Sequence, residues 1–339
     1  MSRLPDPWPR NRRTDAFERG VAANLEGVVT AEECVLVACS GGPDSVATLV
    51  AVSRVLTPAR VTAAHFDHRL RAAVETEADA AFVESLAGSL GTAFVQGQAR
   101  SVLGGDEASA REARYRWLAE ALHDAGAEAA VTGHTRDDQA ETVLLNLTRG
   151  GGLRGARGMA SLSAWPVAAD GTSDRRLLRP LLDVTRAEVE AYLVALGIEA
   201  RLDPTNELTS YARNRVRREV LPALETVNSE AGAQLAAFAD RAREADEALD
   251  QWAGHELEAH GAFSSGCARV ARPALTKLPP AVAKRVVVDL ARRVGLDLNA
   301  VQRAGLVEIA SRRGARLDLA GGRAWTDDEW LLVASERGG

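Results

Sequence analysis

Hydrophobic and polar positions follow two different patterns along the chain, and the change falls near Pro222. From residue 33 onward, short β-rich apolar runs alternate with amphipathic helical stretches, which is the pattern of a parallel sheet with helices on both faces. Three of these runs are predicted to be strands of the central sheet: Val35–Ala38, Val61–His65 and Ala129–Thr132. Ligands of such sheets bind outside the carboxyl ends of the strands, so the residues after each run are the first candidates for chemistry.

The first pattern ends with one more helix. Thr185 opens a capping box for it and Gly197 should end it, so this helix still belongs to the first domain. The second pattern predicts helices with little sheet. After Pro222 the sequence becomes rich in alanine and charge. It predicts helices over about 228–260, 280–294 and 299–312, and a small hairpin over 316–334. We therefore expect two domains, 1–222 and 228–339, the second mainly helical.

Composition narrows the class of protein. The chain has 339 residues, of which 46% are hydrophobic, enough for the cores of two domains. Its three cysteines, Cys34, Cys39 and Cys267, form no C-x-x-C pair, which fits a reducing compartment better than a metal clamp. The N-terminal sequence has no signal-peptide core, and no stretch approaches the roughly 18 apolar residues of a membrane span. The sequence thus predicts a cytoplasmic protein with no membrane association.

The charge balance limits how the protein could bind nucleic acid. The formal net charge is -6 and the isoelectric point is near 5.7. A protein that coats nucleic acid through charge alone would be basic, so this mechanism is not indicated. A local basic face remains compatible with the composition.

The segment Ser40–Ser45 predicts a phosphate-binding loop between the first strand and a helix that begins near Asp44. Gly41 and Gly42 would let the backbone approach a phosphate, and the amides of the helix start would donate hydrogen bonds to a pyrophosphate. The lysine of the usual P-loop is missing. Asp44 would repel a bare phosphate, so it is expected to approach a Mg²⁺ ion that bridges the phosphates. The alternative is an ordinary tight turn in which Ser40 or Asp44 caps the helix.

Polar segments also follow the other two predicted strands. His65–Arg71 contains two histidines around an aspartate, but no third metal ligand of suitable spacing is evident, which favours contact with nucleotide or substrate. Further on, Asp138 and Glu141 share a helix face, where two like charges require a cation or a basic partner between them. Mg²⁺ or a substrate ammonium group would serve. A capping box with Thr135 would explain Asp138 and Thr135 but not Glu141 or the neighbouring His134.

The motifs resemble those of a known family. The segment SGGPDS, Ser40–Ser45, is similar to the S-G-G-x-D-S signature of the PP-loop ATP pyrophosphatases, whose fold is a Rossmann-like, doubly wound parallel sheet. Further blocks, HFDHRLR, HTRDDQAET followed by LNLTRGGGLRGARGM, and DPTNELTSYARNRVRREVLP, stand in the order found in bacterial tRNA(Ile)-lysidine synthetases. The resemblance covers Ser40 to Pro222. Beyond that point it is limited to a general helical character. We expect 1–222 to be the nucleotide-binding catalytic domain and 228–339 to bind the tRNA.

This resemblance implies chemistry on a transfer RNA base. The family adenylates the C2 oxygen of the wobble cytidine in tRNA(Ile) with a CAU anticodon, and the ε-amine of free L-lysine then displaces AMP to give lysidine. It implies ATP and Mg²⁺ as cofactors. By this likeness the residues that bind ATP are Ser40, Gly41, Gly42, Asp44, Ser45 and His65, and Asp44 also holds the metal. The implied catalytic residues are Asp44, Arg114, His134, Asp138 and Glu141, and the implied substrate-binding residues are Arg213 and Arg215.

Some alternatives stay open at this stage. The basic run Arg213–Arg218 either contacts the tRNA backbone or is a solvated helix face. Arg69 stands where related sequences tend to carry glycine, which leaves the conformation of that turn open. The main competing function is a PP-loop enzyme that thiolates a tRNA cytidine, although such enzymes generally need paired cysteines. A small-molecule synthetase and a noncatalytic RNA- or nucleotide-binding protein are further alternatives. The oligomeric state, a homodimer included, is not determined by the sequence.

Overall fold

The computed structural model describes residues 8–69, 73–99, 107–167, 174–201, 212–264 and 266–336. The chain divides into two compact units, Met1–Asp240 and Arg241–Gly339. The division falls within a 30-residue helix, Ala231–His260. The boundary between residues 222 and 228 therefore stays a prediction.

The first unit contains a six-stranded sheet with helices. Its helices are α1 (Arg12–Leu25), α2 (Pro43–Leu56), α3 (Ala73–Leu90), α4 (Glu107–Asp124), α5 (Arg136–Thr148), α6 (Gly152–Ala156), α7 (Arg186–Leu196), α8 (Ala212–Arg215) and α9 (Leu221–Val227), followed by α10 (Ala231–His260). Its strands are β1 (Val35–Ala38), β2 (Val61–Asp67), β3 (Ala93–Gln98), β4 (Ala129–Val131), β5 (Leu162–Ala164) and β6 (Arg176–Leu178). A short 3₁₀ turn, Pro58–Arg60, precedes β2, and a π-helical turn, Val216–Val220, joins α8 to α9.

The sheet confirms the predicted doubly wound architecture. The strand order is β3-β2-β1-β4-β6-β5, and all strands are parallel except the edge strand β5. Strand β1 pairs with β2 on one side and with β4 on the other. Because the chain reverses its direction of winding between β1 and β4, their carboxyl ends flank the crevice where a ligand is expected.

Helices cover both faces of this sheet. In β1, Val35 and Val37 pack with α1, α2, α3 and α7 on one face, whereas Leu36 points to the other face, towards Tyr115 and Leu118 of α4. This alternation follows from the two-residue period of a strand. Both sides of β1 are buried, as expected for a central parallel strand.

Local signals placed several helix ends correctly. Thr135 caps α5 and Thr185 caps α7, each through a reciprocal capping box. Gly197 ends α7 with φ +70°, a left-handed conformation that glycine adopts easily. Helix α1 was not anticipated. Its signal was a capping box between Asn11 and Thr14, close to a basic N-terminal sequence.

The second unit combines helices with an antiparallel sheet. Its elements after α10 are β7 (Gly261–Ser264), β8 (Cys267–Ala271), α11 (Arg272–Leu275), α12 (Pro280–Arg292), α13 (Ala300–Ala310), β9 (Arg316–Leu319), β10 (Gly322–Thr326) and β11 (Trp330–Ser335). The order of the strands is β7-β8-β11-β10-β9. The predicted helices and the β9–β10 hairpin are present, but the hairpin belongs to a larger sheet whose strands β7 and β8 the sequence did not indicate. Residues of α12 and α13 pack against one face of this sheet.

Candidate active site

The phosphate loop connects β1 to α2 at the crevice. Gly41 has φ +92°, a conformation that favours glycine. The hydroxyl of Ser45 donates to the carbonyl of Gly42 (2.9 Å) and accepts from the backbone N–H of Ser40 (3.1 Å). Ser40 and Ser45 also share a hydroxyl contact of 3.2 Å. The backbone N–H of Gly42 also lies 3.5 Å from the Ser40 hydroxyl. These bonds hold the loop in a compact turn and do not use the amides of Asp44 and Ser45 in the first turn of α2.

The start of α2 suits an anion. Gly42 is the N-cap and provides no side-chain hydrogen bond, and Pro43 at the first helical position has no N–H. The remaining free amides point along the helix axis with the positive end of its dipole, which is the arrangement that binds phosphate. The alternative in which Ser40 or Asp44 caps the helix is wrong, because the cap is Gly42.

Strand β4 comes unusually close to this helix. A Cβ atom on Gly133, two residues after β4, would lie 2.6 Å from the carbonyl oxygen of Asp44 and 2.7 Å from the hydroxyl of Thr48. Only glycine allows this approach. The crevice residues that follow β4 are therefore held against the first turn of α2.

Asp138 and Glu141 lie in an acid–arginine cluster, which comprises these two acids with Arg186, Arg213 and Arg217. Arg186 contacts Asp138 (2.7 Å) and Glu141 (3.0 Å) through one nitrogen. Arg213 contacts Glu141 at 2.8 Å and Asp138 at 3.2 Å. Arg217 contacts Glu141 at 2.7 Å and Asp138 at 3.4 Å. The predicted basic partner of the two acids thus consists of three guanidinium groups.

The cluster keeps its acids ionised. Burial raises the pKa of Asp138, but Arg186 and Arg213 and the backbone N–H of Thr135 outweigh it, and the net pKa lies below its ordinary value. The pKa of Glu141 is also lowered, because the hydrogen bond from Arg217 and the charge of Arg186 outweigh the effect of its burial. Two carboxylates and three guanidinium groups leave one positive charge over. The carboxylate of Asp44, 3.8 Å from Arg186, opposes this surplus charge.

Asp44 connects the phosphate loop to this cluster. Its carboxylate lies 3.8 Å from Arg186. Burial and then the charge of Asp138 raise the pKa of Asp44 to about 6, and Arg186 only partly opposes them. The nearby arginines therefore do not fully compensate the negative charge of the ionised Asp44 carboxylate.

The histidines and Arg114 lie around the same edge of the sheet. His65 is buried, and its Nδ1 lies 3.0 Å from the carbonyl oxygen of Cys39 at the start of the loop. His134 contacts the hydroxyl of Thr132 at 2.9 Å. Burial and then the charges of Arg179 and Arg114 lower the pKa of His134 well below its ordinary value, so its imidazole is neutral at pH 7. Arg114 lies over the ring of Tyr115, 5.1 Å from its centroid.

The turn after β2 has the conformation expected for glycine. Arg69 has φ +55°, and its backbone N–H donates to Asp67 at 2.7 Å. Its guanidinium group donates to Gln98 at 2.8 Å. The side chain thus makes contacts that glycine could not make, in a backbone conformation that glycine would adopt more easily. Leu70 and Arg71, the end of the HFDHRLR block, lie outside the described residues.

Two arginines of the cluster were missed as partners of the acids, and one predicted arginine lies elsewhere. Arg186 was not among the candidates, and Arg217 was considered only as part of the basic run Arg213–Arg218, as a contact to the tRNA backbone or a solvated position. Arg215 is exposed and faces Glu219 at 3.8 Å. The signal was the spacing of Arg213 and Arg217, four residues apart, which places them on one helix face away from Arg215. Arg186 stands 45 residues from Glu141 in the chain, and nothing local marks it.

The donor set fits a metal that is shared with a nucleotide. No group of three or more His, Cys, Asp or Glu residues in the described ranges could hold a metal ion alone. Asp138 and Glu141 are occupied by arginines, which leaves Asp44 as the carboxylate available for a cation. Mg²⁺ is commonly bound by one or two carboxylates together with substrate phosphates, so Asp44 beside the loop is a suitable ligand.

Fold and site together define a PP-loop protein, and the comparisons agree with this class. The model of the PP-loop domain matches residues 14–224. A U34-tRNA thiolase from Methanococcus maripaludis has a similar fold, with a TM-score of 0.54 at 18% identity over 68% of this chain and 78% of that one.

Curated relatives narrow the class to one family. The tRNA(Ile)-lysidine synthase of Salinispora tropica is 42% identical over 272 residues, which cover 77% of each chain. The enzyme of the same name from Dehalococcoides mccartyi is 41% identical over 60% of this chain and 44% of its own length. The chain belongs to the tRNA(Ile)-lysidine synthase family. None of the helices in the described ranges is long and apolar enough to cross a membrane.

Proposed function

We propose that this protein joins free L-lysine to C2 of the wobble cytidine in tRNA(Ile) with a CAU anticodon, through an adenylated cytidine, with release of AMP and diphosphate. Membership of the family supports the tRNA ligase activity, and the PP-loop domain supports the use of ATP. One observation carries the site assignment. Arg186 contacts Asp44 beside the phosphate loop and also contacts Asp138 and Glu141, so a single side chain links the loop to the acid–arginine cluster.

We assign the binding of the ATP phosphates to the loop. Ser40, Gly41, Gly42 and Ser45 form the turn, and the free amides of α2 would donate to the phosphates. His65 orients the loop through its contact with the Cys39 carbonyl. Mg²⁺ held by Asp44 would neutralise negative charge on the phosphates during the displacement.

The arginines are suited to stabilise charge in the transition state. A neutral carbonyl oxygen is a weak nucleophile, so alignment and electrostatic stabilisation must supply most of the acceleration. Arg186 and Arg217 act on Asp44, beside the place where the phosphates are expected. A cation held by Asp44 would offset that carboxylate and let the arginines stabilise negative charge on the phosphates. Arg114 and the neutral His134 stand on the same edge of the sheet. Arg114 supplies further positive charge, and His134 can donate or accept a hydrogen bond.

Asp138 and Glu141 are better suited to hold an ammonium group than to remove its proton. A carboxylate with a lowered pKa is a weak base. A lysine substrate would approach oxygens that arginines now occupy, so its binding must rearrange part of the cluster. We therefore propose that the two acids bind the ε-ammonium group, and that its proton leaves to another acceptor.

The competing thiolase function lacks support in the chemistry of the cysteines. Cys34, Cys39 and Cys267 are all free thiols. Cys39 lies next to the loop, but burial raises the pKa of its thiol to about 11, so it is neutral and unreactive at pH 7. We further propose that the second unit contacts the tRNA outside the wobble base.

The deciding experiment supplies ATP, Mg²⁺, radiolabelled lysine and tRNA(Ile) transcripts with a CAU anticodon. Label should appear at the wobble cytidine, with one AMP and one diphosphate released per lysine attached. Elongator methionine tRNA has the same anticodon and serves as the matched control, which should react poorly. AMP release from a small carboxylate without tRNA, or incorporation of sulfur, would reject the lysine ligation.

A further inference from the structure

The antiparallel sheet of the second unit has one face covered by helices and one open face. In β11, Leu331 and Val333 are buried against α12 and α13, whereas Trp330 and Leu332 point the other way. In β10, Ala324 is buried, and Arg323 and Trp325 flank it on the opposite side. The open face is thus defined by the alternation of the strands.

Five side chains dominate this open face, and we name them the Arg–Trp face: Arg269, Arg316, Arg323, Trp325 and Trp330. The strand register aligns side chains of the open face in a row across β8, β11, β10 and β9. Leu332 pairs with Arg269 on one side and with Trp325 on the other. Trp325 in turn pairs with Arg316. At the usual spacing of strands this row is about 14 Å wide. All three arginines are exposed, and both tryptophans are partly exposed.

Two of the three arginines, Arg269 and Arg323, lie over tryptophan rings. The guanidinium carbon of Arg269 lies 4.4 Å from the ring centroid of Trp330, and that of Arg323 lies 5.7 Å from the centroid of Trp325. These contacts hold flat groups side by side on the surface.

The Arg–Trp face carries a net positive charge. Asp318, opposite Arg323, is the one acid on the same side of these strands, and Asp327 in the following turn acts electrostatically on Arg269. None of the three arginines forms an ion pair with another described residue. The chain as a whole carries a charge of -6, so this concentration of unpaired arginine is a local feature.

We propose that the Arg–Trp face binds an RNA segment of the tRNA substrate, with arginines on phosphates and a tryptophan stacked on an unpaired base. Open sheet faces with aromatic and arginine side chains are a common platform for RNA, because every base offers a flat surface for stacking. A purely apolar partner would leave three exposed charges unpaired on contact. The proposal rests on the proposed function for the identity of the RNA.

The test compares two triple variants of the full chain in tRNA(Ile) binding at several salt concentrations. The face variant is Arg269→Gln with Arg316→Gln and Arg323→Gln. The matched control removes three exposed arginines of the same unit that already pair with acids: Arg292→Gln, Arg312→Gln and Arg313→Gln. Both variants lose the same charge. The face variant should lose tRNA affinity at least tenfold at low salt and lower the salt slope by about 2, while the control changes little.

A third variant, Trp325→Leu, separates stacking from charge. Its affinity should fall about tenfold with an unchanged salt slope, because stacking releases no counterions. The thermal unfolding of each variant is measured, and a cooperative transition near that of the wild type shows that the variant is folded.

Equal tRNA binding by the face and control triples would overturn the proposal. So would loss of self-association in the face variant with unchanged tRNA affinity, because the face would then join two copies of the chain. If the wild type binds tRNA through this face but attaches no lysine, the proposed function fails and the RNA-binding face stands.

Discussion

At the scale of single residues, the ionised carboxylate of Asp44 is energetically unfavourable at the position where it is proposed to bind a metal ion. Its pKa of about 6 lies above the ordinary value of 3.8, so the folded protein binds this proton more tightly than the unfolded chain does. The free energy of unfolding should therefore fall as pH rises from about 4 to about 6 and stay at the lower value above that, by up to about 3 kcal/mol. A bound cation would remove this penalty.

Asp44→Asn should consequently increase the stability of the protein and nearly abolish its activity. We expect unfolding by urea at pH 8 to require about 1–3 kcal/mol more than for the wild type, with little difference at pH 4. AMP formation from Mg²⁺-ATP and tRNA should nearly vanish, because the proposed metal ligand is gone. Activity within a few-fold of wild type would refute the role in metal binding.

Glu141 offers a test of the acid–arginine cluster. Its side chain is completely buried and contacts all three arginines. Glu141→Gln leaves three guanidinium groups around one carboxylate, so we expect a loss of about 3 kcal/mol in the free energy of unfolding. Glu112→Gln removes a carboxylate that pairs with Arg116 at 2.6 Å on the surface, and this control should cost less than about 1 kcal/mol. Similar losses in the two variants would mean that the cluster is not electrostatically coupled.

At the scale of elements, the contact between β4 and α2 sets the geometry of the crevice. Gly133→Ala would press a methyl group against the backbone of Asp44, and α2 or the loop after β4 must move to accept it. We expect a loss of about 2 kcal/mol in stability and a lower rate of adenylation, since Asp44 shifts with the helix. Gly20→Ala, in α1 with no heavy atom within 4 Å of the added carbon, should instead stabilise by about 0.5–1 kcal/mol. Adenylation at the wild-type rate in Gly133→Ala would show that this approach is not needed.

The elements that the sequence predicted well are those with strong local signals. The three central strands are buried apolar runs, and α5 and α7 begin at capping boxes, so each could be placed from neighbouring residues alone. Strands β5 and β6 have only three residues each, which is too short for a period to show. Strands β7 and β8 have only four and five residues and follow α10 directly. They pair with each other as a hairpin, and β8 also pairs with β11, whose residues lie about 60 positions further along the chain.

The candidate site shows the same limit. The loop, His134, Asp138 and Glu141 follow central strands, so their neighbourhood could be predicted from the switch point of the sheet. The arginines come from α7, α8 and the π-helical turn, and only the folded chain brings them to the acids. The π-helical turn itself has a local cause. The backbone N–H of Leu221 donates to the carbonyl of Val216, five residues back, and Pro222 has no N–H to continue an α-helical pattern.

At the scale of the whole molecule, the division of the chain predicts where it can be cut. Leu235 of α10 packs against Ala140, Val216 and Leu221, so the first unit needs the start of that helix. A fragment that ends after Asp240 should melt at least about 3 °C higher than one that ends after Val227. Both should bind ATP and show impaired tRNA binding. Binding of tRNA by the longer fragment as tight as by the full chain would reject the role of the second unit.

Asp138 uses its two oxygens for different purposes. Oδ2 accepts from the backbone N–H of Thr135 at 2.9 Å and closes the start of α5, whereas Oδ1 lies 2.7 Å from Arg186. Any variant at this position therefore alters helix initiation and the charge of the cluster together. In a laboratory selection, substitutions here would be discarded for poor yield of soluble protein before their chemistry was ever sampled. Libraries that aim to change the nucleophile should hold Asp138 constant and diversify the arginines around it.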